Sequence, residues 1–225
     1  MFKLSDKTKK ILANFSTINP SLLFNAGKEL RTISQDKDIL AVAEIEENIP
    51  QQFGINDLSK FLSILSTFKD PTIELKEEHA VITAEGKGEY HYRYVDPSFI
   101  LSPCDNQIKI SDPITTFKLG ANDLVELTKI MSISKHPEMA FVADGEKLSV
   151  QAVDTRDVVK DNYIKELQEE KKTFRFDIKF EKVRVLLPTE YEVMIAKTEG
   201  GGWACLFKNT NMNYYMAPES TSTWK

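Results

Sequence analysis

The order of predicted elements repeats along this chain, and that repetition constrains the fold more than any single motif. Each half reads helix, strands, helix, strands, and the halves are separated by the stretch Asp96 to Pro113, which holds three prolines. In the first half, Ser5 is placed to cap a helix. Leu4, Thr8, Ile11, Leu12 and Phe15 share one face of it at three- and four-residue spacing, opposite Lys3, Asp6, Lys9 and Lys10, and Asn19-Pro20 ends it. Ile55 to Phe68 predicts a second helix with the stripe Leu58, Phe61, Leu62, Leu65 and Phe68, stopped by Asp70-Pro71. A third runs over Ala121 to Ser134 and a fourth over Asp177 to Leu187, before Pro188. Between them lie short alternating runs of antiparallel character, such as Tyr90 to Val95, and Val158 to Leu167 reads as a further strand.

At 225 residues the chain has room for two domains of about 110 residues each. The pattern therefore predicts an α+β chain of two similar domains, each with two helices packed on antiparallel sheet. Residues 1–105 form the N-terminal domain, 106–113 a connector and 114–225 the C-terminal domain. Identity between the halves is slight, so a single irregular α+β domain remains the rival reading.

Charge follows the predicted helices. The chain carries a formal −5, yet the segments Lys3–Ser16, Ile55–Lys69, Ala121–Lys135 and Asp177–Leu187 hold 11 bases and 6 acids, leaving 18 bases and 28 acids elsewhere. Three of the helical acids, Asp57, Asp123 and Asp177, sit at helix starts, where a carboxylate satisfies free N–H groups and faces the positive dipole end. An acidic protein with basic helices suits a polyanion met on one surface and avoided elsewhere, although solvated Lys-rich helices give the same count.

Signatures of catalysis are missing from the sequence. His79, His91 and His136 are isolated, with no metal pair at i, i+4. Gly86-Lys87-Gly88 and Gly200 to Gly202 lack phosphate-loop spacing, and no G-x-S-x-G elbow occurs. No catalytic residue, metal or cofactor is assigned, and the chain reads as a non-enzyme; dispersed active-site residues would escape such a search. Cys104 and Cys205 have no ligand-spaced partners and read as free thiols. No apolar run approaches a membrane span, and the N-terminus lacks a signal-peptide pattern. Tyr90, Tyr92 and Tyr94 present rings to bases, but tyrosines alternating on a strand more often pack sheet against helix.

Several strings, in this order, carry a family likeness: KLSDKTKKILANFSTIN (Lys3 to Asn19), INDLSKFLSIL (Ile55 to Leu65), ANDLVELTKIMS (Ala121 to Ser132) and the stretch Phe174 to Pro218. Together with chain length they make the sequence resemble the DNA sliding clamps of tailed bacteriophages, the processivity factors of replicative polymerases. Val158 to Lys172 is the least similar part. The resemblance implies the DNA clamp fold in a homotrimeric ring, with helices lining a hole that double-stranded DNA passes through. It implies as partners the replicative DNA polymerase, a clamp loader and late-transcription factors, no membrane, and residence in the cytoplasm of an infected bacterial host. On this reading Lys3, Lys9, Lys10, Lys60, Lys129, Lys179, Lys182 and Arg184 face the DNA. Ile108, Ile110, Pro113, Ile114 and Phe117 on the connector side, and Met212, Tyr214 and Met216 opposite, line a pocket for partner peptides. By the same analogy the sheet edges joined between subunits lie near Gln107 to Ser111 and Val158 to Leu167. A clamp-like scaffold for transcription or repair partners, without stable encirclement of DNA, is the alternative function.

Overall fold

A computed structural model describes residues 1–86, 88–103, 110–157 and 159–224. The chain divides into two compact units, Met1–Asp105 and Asn106–Lys225. The first contains α1 (Asp6–Ile18), β1 (Leu22–Phe24), β2 (Gly27–Ile33), β3 (Ile39–Ile49), β4 (Phe53–Ile55), α2 (Leu58–Ser66), β5 (Thr72–Leu75), β6 (His79–Thr83) and β7 (Tyr90–Arg93), followed by a 3₁₀ turn at Pro97–Phe99. The second contains β8 (Ile110–Leu119), α3 (Ala121–Ser134), β9 (Glu138–Asp144), β10 (Lys147–Val153), β11 (Tyr163–Glu169), β12 (Thr173–Lys179), α4 (Phe180–Val183), β13 (Tyr191–Thr198), β14 (Trp203–Lys208), β15 (Met212–Met216) and β16 (Thr223–Trp224).

All the strand pairs described within either unit are antiparallel. In the first unit β2 pairs with β3, β1 with β4, and β5, β6 and β7 form a three-stranded sheet. In the second, one sheet runs in the order β11-β10-β9-β12-β16, and β15, β14, β13 and β8 make a second ladder. Each unit carries two helices on its sheets.

The helices bury the stripes that their spacing predicts. Leu12 and Phe15 of α1 are fully buried, as are Leu58 of α2 and Leu127 and Met131 of α3. A buried Leu or Phe contributes roughly 1.5–3 kcal/mol, so these few side chains bind each helix to its sheet more firmly than helix propensity does. Tyr92 packs edge-on against Phe61 of α2 at 5.1 Å, which is the sheet-to-helix role that the tyrosine alternation suggests.

The first helix start matches the sequence reading and two others differ from it. Helix α1 begins at Asp6, because Ser5 accepts a hydrogen bond from the Thr8 amide at 3.2 Å and the chain before it is extended, with Phe2 bridging Ile73. Helix α2 begins at Leu58 instead of Ile55. Phe53-Gly54-Ile55 is drawn into strand pairing with Leu22 to Phe24, and Asp57 caps the helix by accepting from the Lys60 amide at 2.8 Å. The fourth helix shrinks to a single turn. The alternation that begins at Phe174 continues through Asp177 to Lys179 as β12, paired residue by residue with β9. Asp177 is consequently a buried strand residue held by Arg175 at 2.9 Å, and not a cap. Strand β11 starts at Tyr163, after turns at Asp154–Asp157, so it covers only the later part of the expected Val158–Leu167 strand; Val158 itself lies outside the described residues.

Candidate nucleic-acid interface

The outward faces of α1 and α2 are built from small polar groups and a few cations. Ser59, Lys60, Ser63, Ser66 and Thr67 are exposed on or beside α2. Their hydroxyls are spent on the helix itself: Ser63 donates to the Ser59 carbonyl at 2.8 Å, Ser66 to Ser63 at 2.7 Å and Thr67 to Ile64 at 2.8 Å. On α1, Ser16 and Thr17 do the same toward Ala13 and Asn14. Such a face is polar without offering free donors that would grip a ligand in one register.

The eight cations expected to face DNA fall into three groups. Lys10, Lys60, Lys129 and Arg184 are exposed and form no ion pair with a described residue. Lys3, Lys9 and Lys179 are tempered by carboxylates. Lys3 meets Asp70 and holds that carboxyl below the usual carboxylate range by direct hydrogen bonding; Lys9 meets Asp6 at 3.2 Å and Lys179 meets Glu219 at 3.2 Å. Lys182 corrects the sequence reading. Its side chain is 8% exposed, and its ammonium lies 2.6 Å from Glu219 and 3.4 Å from the Ala217 carbonyl, so it is an internal clasp and not a solvent-facing cation. The reason is helical spacing: positions two apart lie about 200° apart around a helix, so 182 turns inward and 184 outward.

In the second unit, α3 and α4 enclose a groove of about 400 Å³ with Lys129 on one bank and Arg184 on the other. Val125 and Thr128 lie between them, and Arg184 sits over the Phe180 ring at 5.9 Å. Exposed acids stand on strands, as Glu44 and Glu46 on β3, Glu166 and Glu169 on β11 and Glu192 on β13, and also on helices, as Glu126 on α3 and Glu181 on α4.

The expected peptide pocket is only partly at the surface. Ile108 lies outside the described residues. Ile110 and Ile114 are half-buried and Pro113 is exposed. Phe117, Met212, Tyr214 and Met216 are buried, because the two-residue period of β8 and β15 turns them inward. Phe117 packs edge-on to Phe141 at 4.9 Å and Tyr214 against Tyr191 at 6.1 Å, so these four are core and not a pocket wall.

Among the described residues β7 pairs only with β6 and β11 only with β10, so both stand at the ends of their sheets, as do β2, β5, β8 and β16. The free side of β8 is covered, since Lys172 donates to the Ile114 carbonyl and Gln168 to the Thr116 carbonyl at 3.3 Å. Of the expected edge Gln107 to Ser111, residues 107–109 lie outside the described residues; Ile110 and Ser111 pair with Thr198 and Lys197. The period of Tyr90 to Val95 marks a strand in the sequence but not its place at a sheet edge, and for that reason β7 escapes the sequence reading.

Among the described residues no group of three His, Cys, Asp or Glu side chains is placed to hold a metal. His79 and His91 stack on each other at 4.9 Å on the surface of the β5–β7 sheet, and His136 is buried between the Ser134 hydroxyl and the Asp161 carbonyl. No helix is long and apolar enough to cross a membrane.

This architecture is the DNA clamp fold. The structure superposes on proliferating cell nuclear antigen from Entamoeba histolytica with a TM-score of 0.68, over 94% of both chains, at 14% identity. Residues 3–101 match the family described as DNA polymerase processivity factor. The sliding clamp of Enterobacteria phage T4 is 26% identical over 98% of both chains, and that of Vibrio phage KVP40 is 31% identical over 98 residues, 44% of each chain. The chain is thus similar to phage sliding clamps over 98% of its length, and its residues 3–101 to the DNA polymerase processivity factors.

Proposed function

We propose that copies of this chain close into a homotrimeric ring around duplex DNA, with α1 to α4 turned to the hole, and that the ring tethers the replicative polymerase by enclosure. The observation that carries this reading is the set of exposed cations without an ion pair among the described residues that stand on or at the ends of helices: Lys10, Lys60, Lys129 and Arg184. Phosphate contacts supply affinity without reading bases. A few long, flexible cations amid internally satisfied hydroxyls hold the backbone loosely enough for the ring to slide. Acid on the remaining surface repels DNA from the wrong side.

The open edges β7 and β11 close the ring head to tail, β7 of one copy meeting β11 of the next. A heterologous pairing of this kind leaves no exposed edge once it closes. Polymerase, clamp loader and late-transcription factors dock near the connector, where Ile110, Pro113 and Ile114 remain accessible. The protein acts without catalysis, in the cytoplasm of the infected host.

Lys60→Glu combined with Lys129→Glu tests the helix-face assignment. Both side chains are exposed, so the variant folds with an unchanged circular dichroism spectrum, while processive synthesis by a clamp-dependent polymerase falls. Unaltered processivity would remove these helices from the DNA path.

A further inference from the structure

The outward face of the β5–β7 sheet carries two of the chain's three histidines, on adjacent strands. Ala80 and Tyr92 are buried, Tyr92 against Phe61 of α2, so the two-residue period turns their neighbours His79 of β6 and His91 of β7 to the other side. Register sets Val81 opposite His91 and His79 opposite Arg93, which makes the two histidines diagonal neighbours. Side chains on such a diagonal are rooted about 7 Å apart, which leaves room for an ion between two imidazoles. The rings already face each other, stacked with centroids 4.9 Å apart and planes 11° from parallel.

A carboxylate adjoins them. Glu89 lies two residues before His91, and its Oε2 is 3.4 Å from His91 Nε2. Zinc binds imidazole nitrogen and carboxylate oxygen at about 2.0–2.1 Å, so two of its tetrahedral ligand atoms are about 3.3–3.4 Å apart. The Glu89–His91 pair stands at that spacing. Burial does not account for the group, since the His91 and Glu89 side chains are 56% and 64% exposed. The hollow of about 500 Å³ around the rings is lined by four carboxylates, Glu74, Glu77, Glu78 and Glu89, against one ammonium, Lys76, which is paired with Glu74 at 2.5 Å. The excess of negative charge draws cations to it.

We propose that His79, His91 and Glu89 form a site for a divalent transition-metal ion, zinc in the first place, which clips β6 to β7. The site is assembled by the ion and not preformed. Each imidazole rotates about its last side-chain torsion, which is soft, and turns one nitrogen to the ion. Glu89 supplies an oxygen and water takes the fourth position. Two imidazoles select zinc, copper or nickel over magnesium and calcium, which take oxygen ligands. All three ligands belong to the first unit, so the site does not rest on ring closure or on DNA.

The test titrates zinc chloride alone into the whole, untagged protein in chelator-treated buffer, followed by calorimetry. The expected result is one zinc per chain with a micromolar Kd. His79→Gln and His91→Gln each weaken binding by roughly ten-fold or more, since even a group that merely supports a metal ligand is worth that much. His91 and Glu89 are exposed, so His91→Gln and Glu89→Gln fold and carry the test should His79→Gln not fold. Imidazole NMR signals give a second readout: zinc shifts those of two histidines and leaves His136, buried between the Ser134 hydroxyl and the Asp161 carbonyl, unmoved. Absence of saturable binding below about 1 mM zinc, unchanged affinity in His91→Gln, or magnesium binding as tightly as zinc overturns the proposal. Zinc-dependent association of copies that is lost in His91→Gln would divide the ligands between two molecules and equally overturn it.

Discussion

Lys182→Ala removes one partner of a buried ion pair, and its cost follows from the geometry. The Lys182 ammonium and Glu219 carboxylate are 2.6 Å apart, with side chains 8% and 16% exposed. At an effective dielectric of about 20 their attraction is about 6 kcal/mol, most of which offsets the desolvation of the two charges. Deleting one member of such a pair costs about 3–5 kcal/mol, because the other charge is left stranded. Glu219 retains Lys179 at 3.2 Å, which places the loss at the low end, about 3 kcal/mol. Lys182→Met keeps the apolar stem and loses less. Urea unfolding followed by tryptophan fluorescence reads the effect directly, since Trp203 and Trp224 both belong to the second unit. The same variant, assayed where it is folded, retains the wild-type salt dependence of DNA association. A stability loss below about 0.5 kcal/mol, accompanied by a flatter salt dependence, would show that Lys182 contacts phosphate and that the clasp is wrong.

Other expectations follow from individual contacts. Burial pushes the Glu47 carboxyl up, but hydrogen bonds from the Thr8 hydroxyl at 2.6 Å and the Ser5 amide more than offset it and leave its pKa below 4.5. A carboxyl lowered by folding contributes stability above its unfolded pKa and loses it as pH falls through the folded one; denaturant titrations from pH ~6 to ~3.5 should show that loss, and Glu47→Gln should reduce its slope. Gly54→Ala places a Cβ 2.6 Å from the Val95 carbonyl oxygen and 2.7 Å from Ile100, so thermal or urea melts should show a loss of about 2 kcal/mol. Ile164→Lys charges an exposed apolar residue on the open strand β11; light scattering should then report roughly ten-fold weaker subunit association with the fold intact.

Much of the fold was legible because its signals are local. The caps at Ser5 and Asp57, the stripes of α1 and α2 and the alternation of Tyr90 to Val95 all depend on neighbours within a few residues. The misreadings arose where long-range pairing overrode local pattern. Ile55 looks like the start of α2, but pairing of Phe53–Ile55 with Leu22–Phe24 claims it; Asp177 looks like a cap, but pairing with β9 buries it. The site was legible as a class of surface and not residue by residue. Basic helices mark the proposed binding face, yet the counter-ion Asp70 lies 67 positions from Lys3, and Glu219 lies 37 from Lys182, distances at which sequence pattern is silent. The Asp6–Lys9 pair, three residues apart, is the exception that spacing reveals. Met212, Tyr214 and Met216 illustrate the opposite error: flexible and aromatic residues suit a peptide surface, but strict alternation on β15 buries all three.

Retention on DNA of defined topology tests enclosure most directly. Protein loaded by its clamp loader onto closed circular duplex should stay bound through a high-salt wash and leave at once when a nuclease linearises the circle. Equal retention on linear and circular DNA, or loss from both as salt rises, would mean that the helix faces grip the duplex and do not encircle it.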